Sequence, residues 1–208
     1  AEEGAVLILH NEGNVTEVMM RPGKHLILAG IDKIYPNLEE ALNLAKLQTF
    51  HATGARLTSF VNILSGPSKT ADIEKKLVRG VHGPKSIALI LLDNGRSRIA
   101  AGEFRELLYC IGCGQCLLQC PAYHIYGNRF GYDHHLGGRG VLFSSLVENE
   151  IRSGVYSCVT CGRCKKVCPV EIDTPRLIRK LRQAYPVLIP EPHLEETYRF
   201  IQSHLMLA

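Results

Sequence analysis

Eight cysteines fall between positions 110 and 168 of this 208-residue chain, with none before and none after. They form two blocks. The first reads Cys110-Ile-Gly-Cys113-Gly-Gln-Cys116-Leu-Leu-Gln-Cys120-Pro121, and the second Cys158-Val-Thr-Cys161-Gly-Arg-Cys164-Lys-Lys-Val-Cys168-Pro169. Every cysteine recurs at an offset of 48. Each block has the C-x₂-C-x₂-C-x₃-C-P spacing used for paired [4Fe–4S] clusters. Three thiolates two residues apart wrap one corner of a cubane while backbone N–H groups point at the sulfurs. Glycine after the second cysteine (Gly114, Gly162) permits the tight approach, and proline after the fourth turns the chain away. By that geometry the fourth cysteine serves the opposite cluster. Cluster I is assigned to Cys110, Cys113, Cys116 and Cys168, and cluster II to Cys158, Cys161, Cys164 and Cys120. The duplication predicts a pseudo-twofold pair of sites that needs iron to stay folded. Zinc suits C-x₂-C pairs but not two such triplets. A disulfide scaffold would spread its cysteines through a small secreted fold.

Charge agrees with clusters. The formal net charge is +4, and residues 103 to 182 carry eleven Lys and Arg against seven Asp and Glu, so the whole excess surrounds the cysteines. Two oxidised clusters with their thiolates would bring roughly −4. That removes the need for a nucleic-acid partner. No apolar run approaches the ~20 residues of a bilayer span. The chain begins at Ala1 with no secretory signal visible, and the reduced-thiol chemistry fits a cytoplasmic setting.

Other chemistry-bearing residues are less specific. Gly66, Ser68, Lys69 and Thr70 form a candidate anion- or substrate-binding loop, with two hydroxyls, a lysine and free N–H groups at a helix start; an ordinary capped helix is the alternative. His82 and the pair His134-His135 read as structural or loop residues. Arg176, Arg179, Lys180 and Arg182 make a basic stripe that either docks an acidic partner or faces solvent. No catalytic residue is identified. No G-x-G-x-x-G follows a strand, so hydride chemistry falls to another subunit.

The positioning elements alternate in the first 100 residues. Ala5 to His10, His25 to Gly30 and Ile87 to Asp93 read as strands, the last an apolar run suited to a sheet buried on both faces. Asn11 to Asn14 is a turn. Asn37 caps a helix running to about Phe50, Arg56 to Leu64 is a candidate strand, and a helix is expected from Thr70 to Gly80. Beyond Ala101 the chain turns helical: Glu103 to Tyr109, about Leu142 to Arg152, a helix opened by Thr174-Pro175, and Leu194 to Leu207. The division expected is an α/β unit over 1–100, an α-helical ferredoxin module over 101–185 and a helical extension over 186–208.

Ordered motifs extend the reading. Asn11-Glu-Gly-Asn14, Gly66 to Glu74, Gly80-Val-His-Gly-Pro84 and Leu92-Asp-Asn-Gly-Arg96, followed directly by the paired cysteine blocks, resemble the LUD (lactate utilisation) domain proteins, and among them the iron–sulfur subunit of the L-lactate utilisation complex. The long linker 121 to 157 and Tyr156-Ser157-Cys158-Val-Thr-Cys161-Gly162 resemble the small iron–sulfur subunit of heterodisulfide reductases. The resemblance implies a NagB/RpiA/CoA-transferase-like α/β fold that here lacks its N-terminal part. It also implies NAD-independent oxidation of lactate or another 2-hydroxy acid. The implied partners are a CCG-domain cysteine-rich subunit, a second LUD subunit or a flavoprotein. On this reading the chain relays electrons. The alternative is an electron-wiring subunit of a heterodisulfide-reductase-like or electron-bifurcating complex.

Overall fold

The structure, a computed structural model, describes residues 1–66, 69–71, 77–79, 83–132, 135–148 and 154–184. Its first half is built from β1 (Val6–His10), α1 (Asn14–Met20), β2 (Lys24–Gly30), α2 (Leu38–Thr53), β3 (Phe60–Leu64), β4 (Lys69–Ala71), β5 (Leu77–Arg79) and β6 (Ser86–Leu92). β1 runs antiparallel to β3, with Val6 opposite Leu64 and His10 opposite Phe60. β2 runs parallel to β6, from Lys24 opposite Ser86 to Gly30 opposite Leu92. Asn37 caps α2 by accepting the Glu40 N–H at 2.9 Å. The helix continues to Thr53 because Gly54, at φ 78°, is the first residue that turns left-handed without strain. α1 is not expected from its β-branched Val15, Thr16 and Val18; it leads out of the turn at Gly13.

Two expectations fail in this half. Where Thr70 was to open a helix, Lys69–Ala71 and Leu77–Arg79 instead pair antiparallel, with Thr70 opposite Val78. Local capping chemistry at Thr70 loses to ladder pairing, although Lys69 and Ala71 are poor strand formers, because cross-strand context overrides intrinsic preference. The apolar run of β6 is also not covered on both faces. Leu89 to Leu92 remain 41–48% exposed, and Leu26 and Leu28 of β2 are 65% exposed or more. The sheet that contains them has only two strands among the described residues.

The second half is mostly helical: α3 (Arg96–Ala101), a 3₁₀ turn (Arg105–Tyr109), α4 (Gln115–Leu118), α5 (Pro121–Tyr126), β7 (Gly131–Tyr132), β8 (His135–Leu136), α6 (Gly137–Glu148), α7 (Gly154–Ser157), α8 (Arg163–Lys166) and α9 (Thr174–Ala184). Its core is contiguous. Ile99, Leu107, Phe130, Val141, Leu142, Phe143, Val155, Ile172, Leu177, Ile178 and Leu181 are buried against one another. The expectation that little besides iron packs this half is therefore not met, because α6 and α9 meet across a full apolar interface.

α6 starts at Gly137, earlier than the apolar pattern from Leu142 predicts. Its glycines are there for close approach. A Cβ on Gly137 would strike Leu117 of α4, one on Gly140 the backbone of His135, and one on Gly138 would sit 3.1 Å from the Thr174 methyl. The expected elements at 194–207, and Gly80, His82 and His134, lie outside the described residues. No helix among the described residues is long and apolar enough to cross a membrane.

Candidate metal centre

The repeat in the cysteine blocks extends to the backbone. Gly112 (φ 75°) and Thr160 (φ 49°) are both left-handed, as are Gly114 (φ 78°) and Gly162 (φ 82°). Gly114 and Gly162 open the four-residue helices α4 and α8. Threonine at the position of Gly112 costs roughly 1–2 kcal/mol, so the loop shape is imposed by its surroundings. Pro121 is the first residue of α5, whereas Pro169 leads into an irregular stretch before α9. The two blocks thus diverge after the fourth cysteine.

All eight thiols are free. Burial, and then the charges of Cys110, Cys164, Cys113 and Cys168, push Cys116 up to about 12. Burial likewise raises Cys113, opposed by the Gln115 N–H, with Cys110 and Cys168 adding to the rise. In the second block, burial and the charges of Cys158, Cys120 and Cys161 push Cys164 up to about 11, against the Lys165 N–H. Cys158 is raised by burial and by Cys120 and Cys161, while the Thr160 N–H and the Arg182 guanidinium pull it back. Thiols that repel one another are neighbours. Cys113 and Cys116 feel Cys110 and Cys168; Cys158 and Cys164 feel Cys120 and Cys161. Cys116 also feels Cys164, and it lines one small cavity with Cys120, Cys158, Cys161 and Cys164, which puts the two groups of sulfurs close together.

Among the described residues no three His, Cys, Asp or Glu side chains converge closely enough to hold a single metal ion. Zinc draws its sulfurs to within about 4 Å of one another. A cubane takes one sulfur to each iron, and two repeated C-x₂-C-x₂-C triplets with a fourth cysteine each supply that donor set. A small cavity lies between Cys116, Cys120, Cys158, Cys161 and Cys164. The Ile172 N–H donates to Cys168 Sγ at 3.4 Å, the kind of bond that tunes a cluster.

Several residues at the site carry no sequence signal. Lys33 Nζ donates to the Cys110 carbonyl at 2.7 Å, and Gln115 Nε2 donates to the His51 carbonyl. These bonds hold the first cysteine loop against the N-terminal half. Lys33 also pairs with Asp32 at 2.9 Å, and Asp32 with Arg96 at 2.6 Å. Burial raises the Asp32 carboxyl, but its bonds to Lys33 and Arg96 outweigh that and hold it below the usual range. The Arg96 and Arg139 guanidiniums both lie over the Phe143 ring, at 5.0 and 4.6 Å.

The basic stripe of α9 turns mostly to its own chain. Arg176 pairs with Glu106 at 2.5 Å and Lys180 with Glu103 at 2.9 Å. Arg182 donates to the carbonyls of Val155 and Cys158, and only Arg179 of the four is exposed. A cleft of about 750 Å³ opens beside the first block, lined by Val6, Leu38, Leu89, Tyr35 and Cys110 among others. The candidate anion loop is not assembled as expected. Lys69 and Thr70 lie in β4 rather than at a helix start, Gly66 is left-handed at φ 104°, and Ser68 lies outside the described residues.

Paired cysteine loops on a helical core, preceded by a strand-and-helix unit, define the class: an iron–sulfur protein in which a LUD domain, matching residues 1–92, is joined to a 4Fe–4S dicluster domain, matching residues 106–172. The chain is similar to LUD-domain iron–sulfur proteins. It is 36% identical over 186 residues to the uncharacterized electron transport protein YkgF of Escherichia coli (strain K12), an alignment covering 88% of this chain and 37% of that protein. With the same coverage it is 35% identical to lactate utilization protein B of Lysinibacillus sphaericus (strain C3-41) and 34% to that of Bacillus subtilis (strain 168). The chain thus spans little more than a third of the length of these curated relatives. No solved structure matches it.

Proposed function

We propose that this chain is an electron-transfer subunit carrying two [4Fe–4S] clusters, in a multi-subunit complex that oxidises lactate or a similar 2-hydroxy acid without NAD. Cluster I takes Cys110, Cys113, Cys116 and Cys168, and cluster II takes Cys158, Cys161, Cys164 and Cys120. The observation that carries this reading is the crossed neighbourhood of the thiols: Cys120, from the first block, lines one small cavity with Cys158, Cys161 and Cys164 of the second. Bound clusters supply one-electron redox chemistry. The chain's own residues position the sulfurs through left-handed turns, donate N–H bonds to them and bury them.

The LUD part, 1–100, rests against the first loop through Lys33 and Gln115 and serves as a platform; the ferredoxin part is 101–185. The names of the relatives support the lactate assignment. A CCG-domain cysteine-rich subunit and a second LUD subunit, or a flavoprotein, are the partners proposed.

Oxygen-free purification of the chain tests this. Iron and acid-labile sulfide at about eight each per chain are expected, with cluster reduction by lactate once the partner subunits are added. Zinc in their place, or cysteines joined as disulfides, overturns the cluster assignment. Full clusters that lactate never reduces in the assembled complex overturn the substrate.

A further inference from the structure

The first cysteine of each block offers its backbone carbonyl to a cation, and the two cations are not alike. The Cys110 carbonyl accepts Lys33 Nζ at 2.7 Å. At the equivalent position 48 residues on, the Cys158 carbonyl accepts Arg182 Nη2 at 2.6 Å. Neither cation belongs to the repeat. Lys33 precedes the first block and Arg182 follows the second, so duplication of the cysteine motif did not create the pair.

Their charges are balanced differently. Lys33 lies 2.9 Å from Asp32, whose carboxylate is almost wholly buried and is shared with Arg96. Arg182 spends its donors on two neutral carbonyls, with Nε and Nη2 on Val155 at 3.1 and 2.6 Å and Nη2 also on Cys158. Its guanidinium lies 5.6 Å from the centre of the Tyr156 ring. Among the described residues no carboxylate pairs with it.

Resting on the two-cluster reading, we propose that Arg182 is a positioning residue that makes the two centres inequivalent. It pins the second cysteine loop and raises the reduction potential of the centre held by Cys158, Cys161, Cys164 and Cys120 above that of its twin. One-electron reduction adds a unit of negative charge to a centre. An uncompensated cation a few bonds away lowers the energy of that state more than a cation already paired with a carboxylate. Arginine suits the task because its fork spans two carbonyls while keeping its charge at every pH.

Redox titration of the anaerobically purified full chain, followed by electron paramagnetic resonance, tests this. Arg182→Gln is expected to lower the higher of the two midpoint potentials and leave the other in place. Lys33→Gln is expected to move only the lower one, and by less. Arg182→Lys, which keeps the charge, is expected to restore most of the Arg182→Gln shift. Two unmoved potentials in a fully loaded Arg182→Gln protein overturn the proposal, as does an equal fall of both. If Arg182→Gln does not load iron, Arg182→Met, which keeps the length of the side chain without its charge, takes its place: a fall of the higher potential alone upholds the proposal, and two unmoved potentials or an equal fall of both overturn it. An unmodified protein that lacks two cubane centres fails the underlying cluster reading instead, and iron analysis separates that outcome.

Discussion

Cys116 and Cys164 are the thiols that iron must work hardest to deprotonate. Burial and crowding by other sulfurs push them to about 12 and about 11, while only the thiolate ligates iron. The iron-free fold holds those protons where the unfolded chain would release them. The resulting stability is complete below the ordinary thiol value of 9.0 and is lost as pH rises toward 11 and 12. The melting temperature of chelator-treated protein should therefore fall as pH climbs beyond about 9, with no matching fall in the loaded protein. A flat profile for the iron-free form would contradict the crowding. A second test at this scale concerns the crossing. Cys120→Ser should remove the resonance of the centre built on Cys158, Cys161 and Cys164 and spare the other. Loss of the first-block centre instead would mean that each block closes on itself.

α6 packs against α4 and α9, the helices that flank the two cysteine blocks. Gly137 meets α4, Gly138 meets Thr174 at the start of α9, and Gly140 lies against the His135 backbone. The helix buries Val141, Leu142 and Phe143 in the core. Gly140→Ala should destabilise this half by about 1–3 kcal/mol, the usual cost of overpacking, read as a lower denaturation midpoint of the loaded protein. An unchanged midpoint would mean that β8 yields freely. α9 contributes differently. Leu177, Ile178 and Leu181 are buried while its cations close onto Glu106, Glu103 and backbone carbonyls. Its stripe therefore braces the module and leaves only Arg179 to face outward.

The whole molecule is lopsided. Among the described residues the apolar core lies almost entirely in the cysteine-bearing half, and α3 joins it through Ile99, just beyond the stretch that matches the LUD domain. The N-terminal half keeps the flanks of its parallel strands open, with Leu26 and Leu28 the most exposed apolar residues of β2. Parallel sheets are normally covered on both faces, and exposed apolar strands associate. The double change Leu26→Lys, Leu28→Lys should leave iron content and the melting of the cysteine half unchanged while reducing self-association in light scattering. Loss of iron from that variant would show that the two halves stand or fall together. The halves touch through Lys33 and Cys110, and Asp32 ties Lys33 to Arg96.

The shape of the two cysteine loops was legible in the sequence, because covalent spacing places neighbouring thiols and a repeat of that spacing repeats the loop. The cap at Asn37 and the helix start at Thr174-Pro175 were legible for the same local reason. Tertiary structure alone decided which cations meet the cysteine carbonyls, since Lys33 and Cys110 stand 77 residues apart and no local pattern pairs them. It also paired 69–71 with 77–79 as strands where a helix was expected, left β6 exposed and placed the core on α6 and α9. Those outcomes depend on which surfaces the folded chain brings together, and hydrophobic periodicity marks a buried face without naming its partner.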